Sequence, residues 1–312
     1  MIKMNRASSL IIALAVLCLM GAGPAPALAS DTKLATYLGD RPSVFETPEA
    51  AAAAFKDAVA RNDLPALAVL LGLDAEKLAK ADNISETLQQ IHKATAEAIT
   101  VEDADGQKVL NLGEQLWPFP FPITQDPDGK WSFDTVTGLE EILNRRIGQN
   151  ELHAIETARL FVEAQMAYAA EDRDSDGVLE FAQKLVSREG EMDGLYWPVE
   201  QGDGDSPAGA IDPAALDKAK AGEGYFGYKF RILKRQGDNV AGGAHDYVIN
   251  GNMIAGFALI AWPTRYAETG VNSFVVNQAG IVYERDFGPD TENIVAKIKT
   301  FNPGDLWQVT KD

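Results

Sequence analysis

The sequence predicts an α+β fold in two parts, each with helices preceding an antiparallel sheet. Three observations carry this reading. Apolar residues recur at helical spacing between about 48 and 98, then give way to short β-rich runs parted by Asp-Gly turns. A second, longer helical period covers about 138–171. The last third alternates β-rich runs with Asn-Gly and Gly-containing turns.

Lys3 and Arg6 precede the apolar run Leu10–Met20, and Ala27-Leu28-Ala29 supplies a small-x-small exit. This is the pattern of a secretory signal peptide over 1–29. The apolar run is short of the about 20 residues that span a bilayer. A periplasmic or secreted location is expected, with no membrane span after cleavage. The single cysteine, Cys18, lies in that segment. Its removal excludes a disulfide framework, thiol catalysis and cysteine-ligated zinc. The formal charge is −18, and losing Lys3 and Arg6 takes it to −20. Such a field repels nucleic acid and anionic membranes and favours cations or basic partners.

A polar lead over 30–40 opens the first part, 41–137. Thr47 is placed as a helix N-cap, Pro48 fits the first helical position, and Glu49 suits the positive helix end. Phe55, Ala58 and Val59 form the apolar stripe. Pro65 starts a second helix through Leu71, and a third runs over Ile84–Ala98. Ile99–Val101 and Val109–Leu112 flank an Asp105-Gly106 hairpin turn. The alternating prolines of Trp117–Ile123 forbid helix, and Asp128-Gly129 leads into the strand Lys130–Phe133. Helices followed by this curved meander resemble the cone-shaped folds related to nuclear transport factor 2. That resemblance implies a pocket between helices and sheet.

The second part, 138–312, begins with a helix from Gly138 to about Glu171, with an expected break at Gly148. A further helix is expected over Leu179–Val186. Residues 199–224, rich in Gly, Asp, Pro and Ala, read as a mobile insertion with a helical patch at Pro213–Ala221. Strands are expected at Gly227–Lys234, Ala244–Ile249, Ile254–Trp262, Val271–Asn277 and Gly280–Asp286, then a closing helix at Thr291–Phe301. A long helix followed by this antiparallel sheet resembles the globular heads of pseudopilins and pilins. The anchoring apolar helix of those proteins is replaced here by Gly138–Arg146, which argues against a pilus subunit.

Five blocks carry a broader likeness: Arg145–Leu152, Tyr168–Gly177, Asp193–Pro198, Asn250–Ile254 and Gly256–Pro263. Together they closely resemble the bacterial secreted family called domain-of-unknown-function 2950, over nearly the whole mature chain. The resemblance implies an identity without a mechanism.

The chemistry concentrates in Glu171–Gln183, EDRDSDGVLEFAQ. Counted as a calcium loop, Asp172, Asp174 and Asp176 occupy positions one, three and five, and Gly177 occupies six. Val178 offers its carbonyl at seven and Glu180 stands at nine, but position twelve is Gln183 rather than a bidentate Glu. Two readings stand: a structural calcium site, or an acidic helix stop without metal. Elsewhere there is no Gly-x-Ser-x-Gly elbow, P-loop or His-Glu-x-x-His helix. His245-Asp246 offers an acid–base element or a strand-edge pair. Glu140-Glu141 and Asp103/Asp105 offer paired carboxylates or plain acidic surface. His92 and His153 read as solvent-facing or packed helix residues. Trp117, Phe119, Phe121, Tyr196, Trp197, Trp262 and Tyr266 include three Trp-Pro pairs, which form either a stacking platform or ordinary packing. The leading expectation is a non-catalytic envelope-assembly or partner-binding protein with one structural calcium. The alternative is a small-molecule enzyme using a pocket in the N-terminal cone.

Overall fold

The computed structural model describes residues 33–81, 83–199, 205–209, 211 and 213–311. The expected signal peptide lies outside the described residues, as do 200–204, 210 and 212 of the expected insertion. Among the described residues the architecture is α+β with antiparallel sheets. No helix among them is long and apolar enough to cross a membrane. The chain divides into two compact units, one ending at Arg145 and the other starting at Arg146.

In the first unit, α1 (Pro48–Ala60) starts as the Thr-Pro-Glu signature predicts: the Ala50 amide donates to Thr47 Oγ1 at 3.2 Å. Helix α2 (Leu64–Leu71) is capped by Asp63, which accepts from the Ala66 amide, and it stops at Gly72 with φ 69°. A five-residue helix that the sequence reading missed, α3 (Ala75–Ala79), follows. Asp74 caps it by accepting from the Glu76 and Lys77 amides. Helix α4 (Ile84–Glu97) leads into β1 (Ile99–Ala104) and β2 (Gln107–Leu112), which pair with Ala104 opposite Gln107. Asp105 and Gly106 both take positive φ in that turn, as a tight right-twisted hairpin requires. Strands β3 (Trp117–Pro118), β4 (Ile123–Gln125) and β5 (Trp131–Phe133) extend the meander: β3 and β4 both pair with β2, and β5 pairs with β4. Helices and sheet share one cluster of buried apolar side chains. Phe119 lies 4.6 Å from Phe55 and 5.5 Å from Phe121 between ring centroids, and Phe133 closes the group.

Helix α5 runs unbroken over Thr135–Tyr168, 34 residues, so the expected break at Gly148 is absent. A lone glycine inside a helix costs only about 1 kcal/mol relative to alanine, and apolar residues on both sides bury themselves. Ile147 precedes it, and Ala154, Ala158, Phe161 and Ala164 follow. In the second unit α6 (Pro213–Lys220) precedes a sheet ordered β14–β13–β12–β11–β6. Its members are β6 (Tyr228–Leu233), β11 (Ala258–Pro263), β12 (Asn272–Asn277), β13 (Tyr283–Asp286) and β14 (Gln308–Val309). Every residue of the central β11 is buried, which explains its continuous apolar run. The short strands β7 (Arg235–Gln236) and β8 (His245–Asp246) pair with each other. So do β9 (Val248–Ile249) and β10 (Asn252–Met253), across the expected Asn250-Gly251 turn.

Two helix expectations fail here for one reason. Leu179–Val186 forms no helix, because its backbone is bonded elsewhere: Phe181 bridges Met253, and Val186 bridges Tyr196. Helix α7 (Thr291–Lys297) ends short of Phe301, which bridges Gln236 instead. In both, long-range pairing overrides local helical preference.

Candidate functional site

Helix α5 stops at Tyr168, and Ser175 (φ 62°) and Gly177 (φ 87°) fold the following chain into a compact loop. Within it one carboxylate oxygen each of Asp172, Asp174 and Asp176 lies within 4.8 Å of the others, all on exposed residues. Among the described residues no basic side chain forms a salt bridge with the three. Arg173, between them in sequence, turns away: its Nε donates to the Tyr168 carbonyl, and its guanidinium lies over the rings of Tyr168 and Trp197 at 5.2 and 5.3 Å. The loop is also internally bonded. Asp172 accepts from the Gly177 amide at 2.9 Å, and Asp176 accepts from the Val178 amide at 2.8 Å.

The other counted positions serve the β9–β10 hairpin. Glu180 Oε2 accepts from the Met253 backbone amide at 3.0 Å, and Asp176 Oδ2 accepts from the Asn252 side-chain Nδ2 at 2.7 Å. Gln183 donates to the Gly251 carbonyl at 2.6 Å and accepts from Lys234 Nζ at 2.9 Å. The structure therefore brings Asp172, Asp174 and Asp176 together, and directs Glu180 and Gln183 at the hairpin.

Around the loop, titratable groups are set by burial and bonding. Burial, then the nearby Glu180 charge, pushes the Tyr168 hydroxyl up to about 12; it donates to the Met192 carbonyl. Burial also raises Asp193, but hydrogen bonds from Lys184 and from the Arg188 amide and guanidinium outweigh it and hold the carboxyl well below the usual range.

The remaining candidates are engaged in structure. His245 sets its ring nitrogens against the Gly243 and Ala255 carbonyls, while Asp246 pairs with Arg235 instead of the histidine. Glu141 pairs with Arg145, and Asp103 with Lys108. His153 is stacked on Phe226 at 4.5 Å rather than facing solvent freely. Each tryptophan of the three Trp-Pro pairs carries a guanidinium over its ring. Arg145 covers Trp117, Arg173 covers Trp197 and Arg231 covers Trp262, at 5.6, 5.3 and 5.3 Å. These ring faces are occupied by the protein's own cations, the packing alternative rather than a free platform.

The sequence reading missed Glu151. From α5 it accepts from the Val271 and Asn272 amides at 2.8 and 2.9 Å. Burial, then this neighbouring charge, raises Glu284 on β13. No sequence signal joins residues so far apart.

No curated protein and no solved structure matches the chain. The likeness of the two halves to nuclear-transport-factor-2-type cones and pseudopilin heads thus stays a resemblance. A family model does match, over residues 42–310, nearly the whole described chain and all five sequence blocks. The chain belongs to the family described as protein of unknown function (DUF2950).

Proposed function

We propose that this is an exported, non-catalytic binding protein of the bacterial envelope, whose second unit is stiffened by one structural calcium ion. Asp172, Asp174 and Asp176 hold the ion, with the Val178 carbonyl and water completing the shell. The observation that carries the reading is the three-carboxylate group, whose oxygens lie within 4.8 Å with no basic partner among the described residues. Two unit charges at that range repel by about 1 kcal/mol in bulk water and several-fold more at a protein surface. A hard cation with oxygen ligands removes that repulsion. With Glu180 bonded to Met253 and no carboxylate at position twelve, the affinity belongs to the weak extracellular class, about 10⁻⁴–10⁻³ M.

The enzyme alternative needs a polar pocket inside the first unit. Phe55, Phe119, Phe121 and Phe133 are buried there and pack against one another, which supports the binding reading. A groove of about 250 Å³ lies at Phe45, between α1 and α2, with Asp57 and Arg61 among its lining.

Calorimetric titration of the purified protein with calcium chloride tests the ion. Heat and a rise in melting temperature are expected, both lost in Asp174→Ala. Neither signal at millimolar calcium would end the calcium reading. Copurification from envelope extract tests the rest. A stoichiometric protein partner is expected, and a tightly bound, turned-over metabolite would favour the enzyme.

A further inference from the structure

We propose that the second unit carries a site for an uncharged, hydroxyl-rich ligand the size of one sugar ring. The site is a half-open cleft of about 360 Å³ where the turn after β7, the β12–β13 turn and the C-terminal segment converge. It shares no residue with the aspartate loop and stands or falls independently of the calcium reading.

Its lining is unusual for this chain. In a protein with a formal charge of −18, no charged side chain lines the cavity. The polar lining comes from four carboxamides, Gln236, Asn239, Asn277 and Gln278, and from Tyr283. An ion entering such a space would lose hydration without gaining a counter-charge. A carboxamide presents donors and an acceptor, which matches hydroxyl groups that donate and accept. Gln236 uses its own within the protein, so Asn239 and the remaining donors of Asn277 and Gln278 are what the cleft offers. Phe301 and Val240 supply apolar wall for the C–H face of a ring. The volume falls at the small end of ligand pockets, about 300–1,000 Å³.

The walls are built before any ligand arrives. Buried Gln236 donates to the Ala241 and Gly243 carbonyls and accepts from the Tyr247 hydroxyl, fixing the turn that forms one side. Asn302 accepts from the Asn239 amide, and the Gly237 amide donates to the Phe301 carbonyl, tying that turn to the C-terminal segment. On the opposite side Asn277 accepts from the Ala279 amide. Two groups are left over. Among the described residues the Asn239 carboxamide, on an exposed residue, and the hydroxyl of half-buried Tyr283 take no hydrogen bond within the protein. Both line the cavity, and both are assigned here to the ligand.

The test uses the full protein and two probes, N-acetylglucosamine and glucose, followed by saturation-transfer NMR and calorimetry up to about 10 mM, a range that captures weak single-site affinities. Binding of at least one probe is expected. Asn239→Asp and Tyr283→Phe should each weaken it tenfold or more without moving the melting temperature, and glucuronic acid should not bind. No binding of either neutral probe overturns the proposal, as does binding that both variants leave unchanged. Preferential binding of triglycine, a neutral peptide control, also overturns it.

Discussion

Gln165→Leu should destabilise the second unit by about 2.5 kcal/mol. Gln165 is fully buried on α5 and makes two reciprocal bonds to one residue of the irregular segment: its Nε2 donates to the Ala182 carbonyl, and its Oε1 accepts from the Ala182 amide, both at 2.8 Å. Leucine fills nearly the same volume but bonds neither group. Each buried backbone group left unsatisfied costs about 1–3 kcal/mol, or about 2–6 kcal/mol for the pair. Leucine's greater apolar burial returns about 1–2 kcal/mol, and the remainder centres on about 2.5 kcal/mol. Urea unfolding should show a lower midpoint at unchanged slope, and hydrogen exchange should show the Ala182 amide losing protection. A loss below about 1 kcal/mol with Ala182 still protected would refute the assignment.

Gln165→Glu sharpens the test. The glutamate can accept from the Ala182 amide, but it can donate to the Ala182 carbonyl only when protonated. Its folded-state pKa is therefore raised, so its contribution is intact below the unfolded value of about 4.3 and is lost as pH rises above it. This variant should be nearest to the parent in acid and worst at neutral pH. The opposite trend would show that the oxygen and nitrogen of Gln165 have other partners.

Gln183→Glu restores the carboxylate at loop position twelve, yet it should not raise calcium affinity, because that side chain is directed at Gly251 and Lys234. A stability loss near 1 kcal/mol is expected from the lost donor, and tighter calcium binding by calorimetry would contradict this geometry. Gly138→Ala should destabilise the first unit by about 1–3 kcal/mol, since the added methyl carbon would lie 2.0 Å from a ring carbon of Phe121; thermal melting checks it, and an unchanged midpoint would mean that the ring yields freely. Burial raises the Tyr168 and Tyr247 hydroxyls to about 12 from an ordinary 10.0. The neutral forms thus stabilise fully below pH 10, and stability should fall between about pH 10 and 12, more gently in Tyr168→Phe, as followed by urea midpoints.

What the sequence discloses depends on how local its cause is. The α1 start is written in Thr47-Pro48-Glu49, and both hairpins in Asp105-Gly106 and Asn250-Gly251, because each is decided by the backbone freedom or capping of adjacent residues. The aspartate group was legible for the same reason, since alternate residues in a tight loop must meet. Asp74 also announces α3 as a cap, a signal passed over because the helix lasts five residues. Gly148 misled, because glycine's small local cost was set against burial that only the fold supplies. Leu179–Val186 misled likewise: Gln165 and Met253 claim its backbone, one from an earlier helix and one from a later hairpin. The carboxamide cavity gathers residues from three segments between 236 and 304, none with a motif of its own.

The acidic character of the second unit has a structural use that bears on calcium. Between Tyr168 and Trp197 there is little regular structure to satisfy the backbone, and carboxylates stand in for it. Asp172 accepts from Gly177, Asp176 from Val178, Glu180 from Met253 and Asp193 from Arg188, all backbone amides. These bonds need ionised acids but no metal, so the loop's path is held before a cation arrives. On the proposed reading, calcium would then act on the residual repulsion among three carboxylates, a smaller quantity than the fold itself. Chelation with EDTA should therefore lower the melting temperature by a few degrees, in keeping with about 1 kcal/mol, and leave the far-ultraviolet circular dichroism at 25 °C unchanged. Collapse of the second unit on chelation would mean that the ion, rather than the capping carboxylates, organises the segment. No shift at all would leave the acids with the capping role alone.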